Sequence, residues 1–232
     1  MKPTYKFGIG QFIAPFFLLL AAPLWVHAQD GACGALGNAF GPFDYRTERG
    51  NNLHLVESEH FTPYVETLIR GKTGQIGGDL DYTLRAFPNH HRALMATMRL
   101  GERMKMSMPP GMHYTVECYM DRAVRFRPDD EIARMLYSMF LAKAGRTAEA
   151  VAQLDTAATS AEGKENPFTH YNLGLNYLDV KEYDKALVQA HKAYNLGFIQ
   201  TGLKDRLKEA GKWKDLEIPT AEANAEPASA PK

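Results

Sequence analysis

The segment Asn166–Gly197, NPFTHYNLGLNYLDVKEYDKALVQAHKAYNLG, predicts two helices joined by a short turn. Asn166 is a good N-cap, and Pro167 suits the first helical position, where no amide hydrogen is needed. Residues 181–183 are predicted to form the turn between the two helices. Gly197 supplies the stop, because glycine readily adopts the left-handed conformation that ends many helices.

Apolar and small residues within this segment recur every three or four positions, which is the period of an α-helix. They are Leu173, Gly174 and Tyr177 in the first helix and Ala186, Ala190 and Ala193 in the second. Gly174 is a poor helix former, so its presence indicates a packing role in which a second helix approaches closely. The pattern therefore predicts a tightly packed antiparallel helix pair.

These residues give the segment its resemblance to the tetratricopeptide repeat family, whose helix–turn–helix unit is about 34 residues long. The residues at the signature places are Leu173, Gly174, Tyr177, Ala186 and Ala193. Ala190 stands where an aromatic residue is more usual, and Phe198 stands where the closing proline of the unit is expected. The resemblance implies an all-α fold, a short right-handed solenoid of stacked helix pairs.

Internal repetition supports this interpretation, because an equivalent alanine pair stands 36 residues earlier, at Ala150 and Ala157. An earlier unit carries an insertion of methionines and prolines in its turn, and Asn89 is expected to cap its first helix. The predicted units are 89–128, 129–162 and 166–198, within a helical domain of residues 61–213. An amphipathic helix at 201–210 is expected to cap the stack.

Both ends of the chain read differently from the helical part. Residues 1–28 resemble a secretory signal peptide, with Lys2 and Lys6 before an apolar run and the cleavage site Val26-His27-Ala28. The run is short for a membrane span, although an uncleaved anchor stays open as an alternative. Residues 29–60 lack a helical period and predict an irregular arm, and residues 214–232 predict a disordered tail.

The charge balance argues against one class of partner. The chain carries 27 basic and 27 acidic residues, and Lys2 and Lys6 lie in the predicted leader. A mature protein with slightly more acidic than basic residues has no electrostatic case for binding nucleic acid. The leader, rather than the charge, predicts a periplasmic protein without stable membrane insertion, with secretion or a signal anchor as the alternatives.

Catalysis has little support in the sequence. There is no glycine-rich phosphate loop and no GxSxG or HExxH motif. Glu57, Glu59 and His60 are close together, but their spacing fits no familiar acid–base or metal site. The chain is therefore predicted not to be an enzyme and to carry no cofactor.

The only two cysteines are Cys33 and Cys118. Disulfides form in oxidising compartments, so export predicts that the two pair, although two separate buried thiols remain an alternative. The bond would tie the predicted arm to the second helix of the unit 89–128.

The insertion suggests a metal hypothesis. Thioether sulfurs are soft ligands that select Cu(I) among the biological metals, and Ag(I) has the same preference. The candidate ligands are Met104, Met106, Met108, Met112 and His113. The alternative is that these methionines pack on the helices as adaptable apolar filler.

The main functional hypothesis is a partner groove. In the repeat family the first helix of each unit lines a concave surface, which implies a mostly apolar groove here. Its predicted residues are Ile132, Met135, Leu136, Met139, Phe168, Tyr171, Asn172 and Leu175. We expect an exported scaffold or adaptor that binds another protein or peptide. The alternatives left open are that the arm itself fills the groove, that the protein binds Cu(I) or Ag(I) through the methionine insertion and, more distantly, that it is an enzyme.

Overall fold

The chain is all-α over the residues that the computed structural model describes, which are Met1 and residues 32–215. Apart from Met1, the predicted signal peptide lies outside these residues, as does most of the predicted tail. The helices in chain order are α1 (Asn51–His60), α2 (Pro63–Glu66), α3 (Ile76–Ala86), α4 (His91–Met104), α5 (Val116–Phe126), α6 (Glu131–Lys143), α7 (Thr147–Ala161), α8 (Pro167–Asp179), α9 (Tyr183–Asn195) and α10 (Gly202–Glu209).

Side-chain caps fix the starts of α4, α6 and α8. The side chains of His90, Asp130 and Asn166 accept hydrogen bonds from backbone amides in the first turn of α4, α6 and α8, respectively. Such caps satisfy amides that have no partner inside the helix. Asn166 caps its helix as the sequence predicts. The prediction for Asn89 is wrong, because His90 caps α4 and the Asn89 side chain bonds elsewhere.

The alanine stripes of α7 and α9 pack where the sequence predicts contact. Ala150, Ala157, Ala186, Ala190 and Ala193 have no exposed surface. Because alanine has the smallest side chain with a Cβ, α6 and α7 can lie close together, as can α8 and α9. A Cβ at Gly174 would stand 2.4 Å from Leu203 Cδ2, so this glycine makes room chiefly for α10.

The even-numbered helices from α4 to α10 form a continuous row of neighbours. α4 contacts α6, α6 contacts α8, and α8 contacts α10, while α5 packs on α6 and α7 packs on α8. Two apolar cores result, one built from α2 to α6 and the other from α6 to α10. α6 serves both cores, because Leu136 lies in the first and Met135 in the second.

The predicted irregular arm is shorter than residues 29–60, because residues 51–60 form α1. Leu53 and Val56 are buried one turn apart, and they share a small apolar cluster with Tyr45 and Phe87. α1 lacks a side-chain cap and has only two buried residues, so its helical period is weak in the sequence. Packing on α3 stabilises it instead.

Residues 32–50, which we call the arm, lie against α3, α5 and the loops before α4 and α6. The Phe43 amide donates to the Ala86 carbonyl at 2.9 Å, and the Tyr45 amide donates to Asn89 Oδ1 at 3.0 Å. The disulfide between Cys33 and Cys118 confirms the predicted pairing and joins the arm to α5.

A buried arginine strengthens this attachment. Arg122 of α5 is 1 % exposed and donates to the carbonyl oxygens of Cys33 and Ala35 at 3.0 and 2.6 Å. Its guanidinium also lies over the ring of Tyr114, 4.4 Å from the centroid. The carbonyl oxygens of the arm therefore supply hydrogen-bond acceptors to this buried cation, whose other surroundings are largely apolar.

The loop between α4 and α5 is docked on α3. Asp81 of α3 lies 2.8 Å from His113 Nδ1 and accepts a hydrogen bond from the hydroxyl of Tyr119. A Cβ at Gly77 would stand 2.2 Å from the carbonyl oxygen of Pro110, so the loop backbone touches the helix backbone. The insertion is thus an ordered part of the fold.

Among the helices that the structure describes, none has both the length and the apolar character needed to cross a bilayer.

Candidate protein-binding face

Three capped helices present equivalent residues to solvent. The second residue of each helix is exposed, with Arg92 in α4, Ile132 in α6 and Phe168 in α8. Ile132 is 42 % exposed and Phe168 is 64 % exposed, which is high for large apolar side chains. Since α4, α6 and α8 are neighbours, these residues form one edge of a shared surface.

Two further rows extend this surface along the helices. Residues two and three turns farther on lie on the same side of each helix, because the turn contains about 3.6 residues. The second row contains Arg99, Met139 and Leu175, and the third row contains Arg103, Lys143 and Asp179. In the second row, Met139 and Leu175 are half-buried and Arg99 is exposed. All three residues of the third row are exposed. We call these three rows the α4–α6–α8 face.

Two of the predicted groove residues belong to the interior. Met135 and Leu136 are 5 and 6 % exposed and pack in the two apolar cores. The other six are Ile132, Met139, Phe168, Tyr171, Asn172 and Leu175, and each has an exposed or half-buried side chain. Six of the eight predicted groove residues are therefore accessible to a partner.

Two aromatic rings adjoin the face beside Phe168, near the start of α8. The rings of Phe168 and Tyr171 both contact Phe198, with centroids 5.1 and 4.2 Å apart. Phe198 is half-buried, and its neighbour Ile199 is 89 % exposed. This contact holds the Phe168 and Tyr171 rings at the surface, where they can bury apolar area against a partner.

Carboxylates on or beside the face are matched by cations of the same chain. Glu66 and Glu57 pair with Arg92, and Glu102 lies 2.6 Å from Lys143. Asp179 lies 2.7 Å from Arg206, and Glu131 pairs with Lys164. The hydrogen bonds from Arg92 lower the pKa of Glu66 despite the opposing effect of burial.

Two arginines of α4 differ from this pattern. Among the described residues, Arg99 has no ion pair or hydrogen bond from its side chain, and Arg103 donates only to the carbonyl oxygen of Leu68, at 2.7 Å. Both side chains are exposed. The face is therefore cationic along α4 and apolar in the first two rows of α6 and α8, while the charged third-row residues Lys143 and Asp179 are already ion-paired.

The groove predicted from the sequence contains no residue of α4. The signal was present, because Arg92, Arg99 and Arg103 follow one another at seven and four residues and so lie on one side of a helix. Their equivalence to the α6 residues depends on His90 and Asp130 occupying the same cap position in α4 and α6.

The described arm leaves the face uncovered. Its contacts are with α3, α5 and the loops that contain Asn89 and Asp129. Ile132 and Phe168 are exposed even though the arm is docked on the helices. Within residues 32–60, Glu57 of α1 pairs with Arg92 at the α4 edge of the face, but Ile132 and Phe168 stay exposed, so these residues do not support the alternative that residues 29–60 fill the groove.

The candidate metal ligands are spread over different surroundings. Met112 is 7 % exposed and packs in the first apolar core, while Met104, Met106 and Met108 are exposed. Met104 lines a cavity of about 580 Å³ beside Ile76, and Met106 lines another of about 390 Å³. The described residues contain no group of three or more His, Cys, Asp or Glu side chains arranged to hold a metal ion.

A buried polar cluster joins the arm to the start of α6. Asp130 is fully buried and accepts hydrogen bonds from Asn89 Nδ2 at 2.8 Å and from the amides of Ile132 and Ala133. His91 Nε2 lies 2.9 Å from both of its carboxylate oxygens. Burial opposes ionisation, but the hydrogen bonds from His91 and the other donors lower the pKa of Asp130 below 3.8.

A second cluster holds α1 against α4. His90 Nε2 lies 3.1 Å from Glu57 Oε1, and His90 Nδ1 accepts from the Ala93 amide at 3.2 Å. A carboxylate only accepts, so Nε2 carries the proton and Nδ1 is free to cap the helix. Burial lowers the pKa of His90 below 6.5, which keeps this neutral form near pH 7.

No protein-family model matches the chain, and the search of curated proteins finds no significant match.

Proposed function

We propose that this protein is a non-enzymatic scaffold or adaptor that binds another protein or peptide through the α4–α6–α8 face. The observation that carries the proposal is the alignment of exposed apolar side chains, Ile132 and Phe168, at the same position of neighbouring helices. Exposed apolar residues scattered singly need no explanation, but aligned ones typically mark an interaction site. The proposal includes no cofactor and no nucleic-acid partner.

The architecture that we propose for this face is a short right-handed solenoid resembling the tetratricopeptide repeat family. Its units are residues 89–128, 129–162 and 166–198, inside a domain of residues 61–213, and the helix near residues 201–210 caps the stack. The contacts of α4 with α6, of α6 with α8 and of α8 with α10 support this arrangement. In such a stack the α4–α6–α8 face is the concave side.

We also propose that the protein works in the periplasm. The leader-like residues 1–28 support export, and the disulfide between Cys33 and Cys118 fits an oxidising compartment. The partner is then another envelope or exported protein, and stable membrane insertion of the mature chain is not part of the proposal.

The experiment is an affinity capture from intact envelopes after crosslinking, followed by reconstitution with each purified partner. Phe168→Ala and Ile132→Ala should lose the reconstituted partner, because each removes apolar area that only a partner would cover. Both side chains are exposed, so the thermal unfolding midpoint should stay within a few degrees of wild type.

The matched control is Val188→Ala, which removes an apolar side chain that is 51 % exposed on α9. This variant should keep the partner. Retention of every reconstituted partner by both face variants would contradict the proposed function. Met135→Ala is not a suitable probe, because that side chain is buried and its loss reports on the core.

A further inference from the structure

We propose that the α4–α6–α8 face recognises an acidic amphipathic segment, whose carboxylates pair with Arg99 and Arg103 and whose apolar side chains cover α6 and α8. This inference rests on the proposed function and adds the chemistry of the partner to it. It follows from the division of charge and apolar surface across the three helices.

The cationic end of the face is available to a partner. Arg92 is committed to Glu66 and Glu57, and its Nε donates to Glu66 Oε1 at 2.8 Å. Arg99 and Arg103 have no carboxylate partner among the described residues, although every carboxylate of this surface has a cation beside it. A partner that brings carboxylates to α4 would therefore complete the pattern that the rest of the surface already follows.

The apolar end determines the rest of the partner. Met139 and Leu175 are half-buried beside the exposed Ile132 and Phe168, and no unpaired cation lies among them in the described chain. A partner rich in phosphate would neutralise the arginines but would leave this apolar area in water. A segment with carboxylates at one end and apolar residues at the other satisfies both ends at once.

The orientation of the segment also follows. The three rows run along the helices, and the change from cationic to apolar runs across them, from α4 to α6 and α8. The bound segment must therefore lie across the helices rather than along one of them. Its acidic end should face Arg99, which lies between Arg92 and Arg103 on the exposed side of α4.

The test uses a random peptide library displayed on yeast and selected on the oxidised full-length protein. Wild type should enrich peptides that carry Asp or Glu next to apolar residues. Arg99→Glu should weaken a purified enriched peptide by about fivefold, and the Arg99→Glu/Arg103→Glu variant by about tenfold or more. Selection on the double variant should enrich basic peptides instead.

Lys208→Glu is the matched control, because it makes the same change in net charge at an exposed cation of α10, outside the face. It should leave the affinity of the enriched peptide within about twofold of wild type. A loss equal to that of Arg99→Glu would overturn the inference, because it would mean that net charge alone governs binding.

The outcomes separate the inference from the function on which it rests. Peptides without charge bias that still require Phe168 would overturn the inference and leave the proposed function standing. Enriched peptides that are indifferent to both Phe168→Ala and Ile132→Ala, or the absence of any enriched peptide, would overturn both. Arg99-dependent binding to vesicles of anionic phospholipid, with no acidic peptides enriched, would overturn the inference in favour of a membrane surface.

Discussion

At the scale of single residues, Asp130 has a role that the sequence indicates only in part. An acidic residue at a helix start predicts a favourable interaction with the helix dipole. The structure adds that Asp130 caps α6 and binds Asn89, His91 and, at 3.7 Å, Arg46. These partners are separated by long stretches of chain, so no local pattern connects them.

Asp130→Ala should destabilise the protein by about 3 kcal/mol, because it removes the cap and leaves buried donors without an acceptor. The control is the neighbouring Asp129→Ala, whose side chain is 59 % exposed and pairs with Arg46 at the surface. This change should cost less than about 1 kcal/mol. Urea unfolding measures both variants, and equal losses would contradict the role given to Asp130.

The His90 cap makes a pH-dependent contribution. Burial lowers the pKa of His90 below its ordinary 6.5, so the unfolded chain takes up a proton before the folded one does. The stabilisation is complete above pH 6.5 and is lost as the pH falls below that value. Protonation at Nδ1 also abolishes the acceptor for the Ala93 amide.

His90→Asn should therefore flatten the stability profile between about pH 7 and about pH 5. Asparagine keeps a cap acceptor, as Asn166 does in α8, but it does not titrate. The variant should be less stable than wild type at pH 7, because the bond to Glu57 is lost. Urea midpoints across this range are the measurement, and parallel profiles for the two proteins would disprove the prediction.

At the scale of elements, the sequence predicts most helices well and fails where packing decides. For α8 and α9, the predicted cap at Asn166, turn at residues 181–183 and stop at Gly197 lie within a few residues of the observed bounds. α2 ends at Glu66, two residues before Leu68, which adopts the left-handed conformation with φ 60°. The helical part of the predicted arm depends on burial of Leu53 and Val56 against α3, which a local period of so few residues does not reveal.

The docking of the α4–α5 loop on α3 is tested by two adjacent glycines. A Cβ at Gly77 would stand 2.2 Å from the Pro110 carbonyl oxygen, whereas a Cβ at Gly78 has no neighbour nearer than 3.8 Å. Gly77→Ala should cost about 2 kcal/mol, because backbone must move. Gly78→Ala should be neutral or stabilising by up to about 1 kcal/mol, because alanine favours helix.

The free energy of unfolding in urea compares these two variants with wild type. If Gly77→Ala proves as stable as Gly78→Ala, the loop does not press on the helix in solution. Far-ultraviolet circular dichroism should be unchanged in both, since neither substitution opposes helix formation.

At the scale of the whole molecule, the sequence predicts the location of the face and not its charge pattern. The positions of Ile132, Met139, Phe168 and Leu175 follow from aligning repeated units. The interior placement of Met135 and Leu136 does not, because it depends on α6 lying between two cores. The sequence also does not predict that Arg99 lacks an ion-pair partner, because that depends on which carboxylates of other helices lie close to it.

Loss of the disulfide should affect one half of the molecule more than the other. The bond links residues 85 apart in sequence, and its removal in Cys33→Ser/Cys118→Ser should cost about 4 kcal/mol in the chain-entropy account. Because α3 and α5 pack in the first apolar core and α8 and α9 in the second, amide hydrogen exchange should accelerate in α3 and α5 while α8 and α9 keep their protection.

Leu173→Ala is the reciprocal control, because this fully buried residue lies in the second core. It should accelerate exchange in α8 and α9 more than in α3 and α5. Thiol labelling of native wild type should find no reactive cysteine before reduction. Equal acceleration along the whole chain in both variants would mean that the protein opens as a single unit.

The arm does not contact the α4–α6–α8 face, but its bonds to the rest of the chain affect the geometry of that face. Asn89, just before α4, and Asp130, at the start of α6, are bonded to each other, and the arm binds both of them through Tyr45 and Arg46. This three-way joint fixes the distance between the starts of two neighbouring helices. It thereby sets the local curvature of the surface that they share, and with it the span between Arg99 and Met139. Breaking the bonds of the arm to Asn89 and Asp130 would therefore change the shape of the face that a partner contacts.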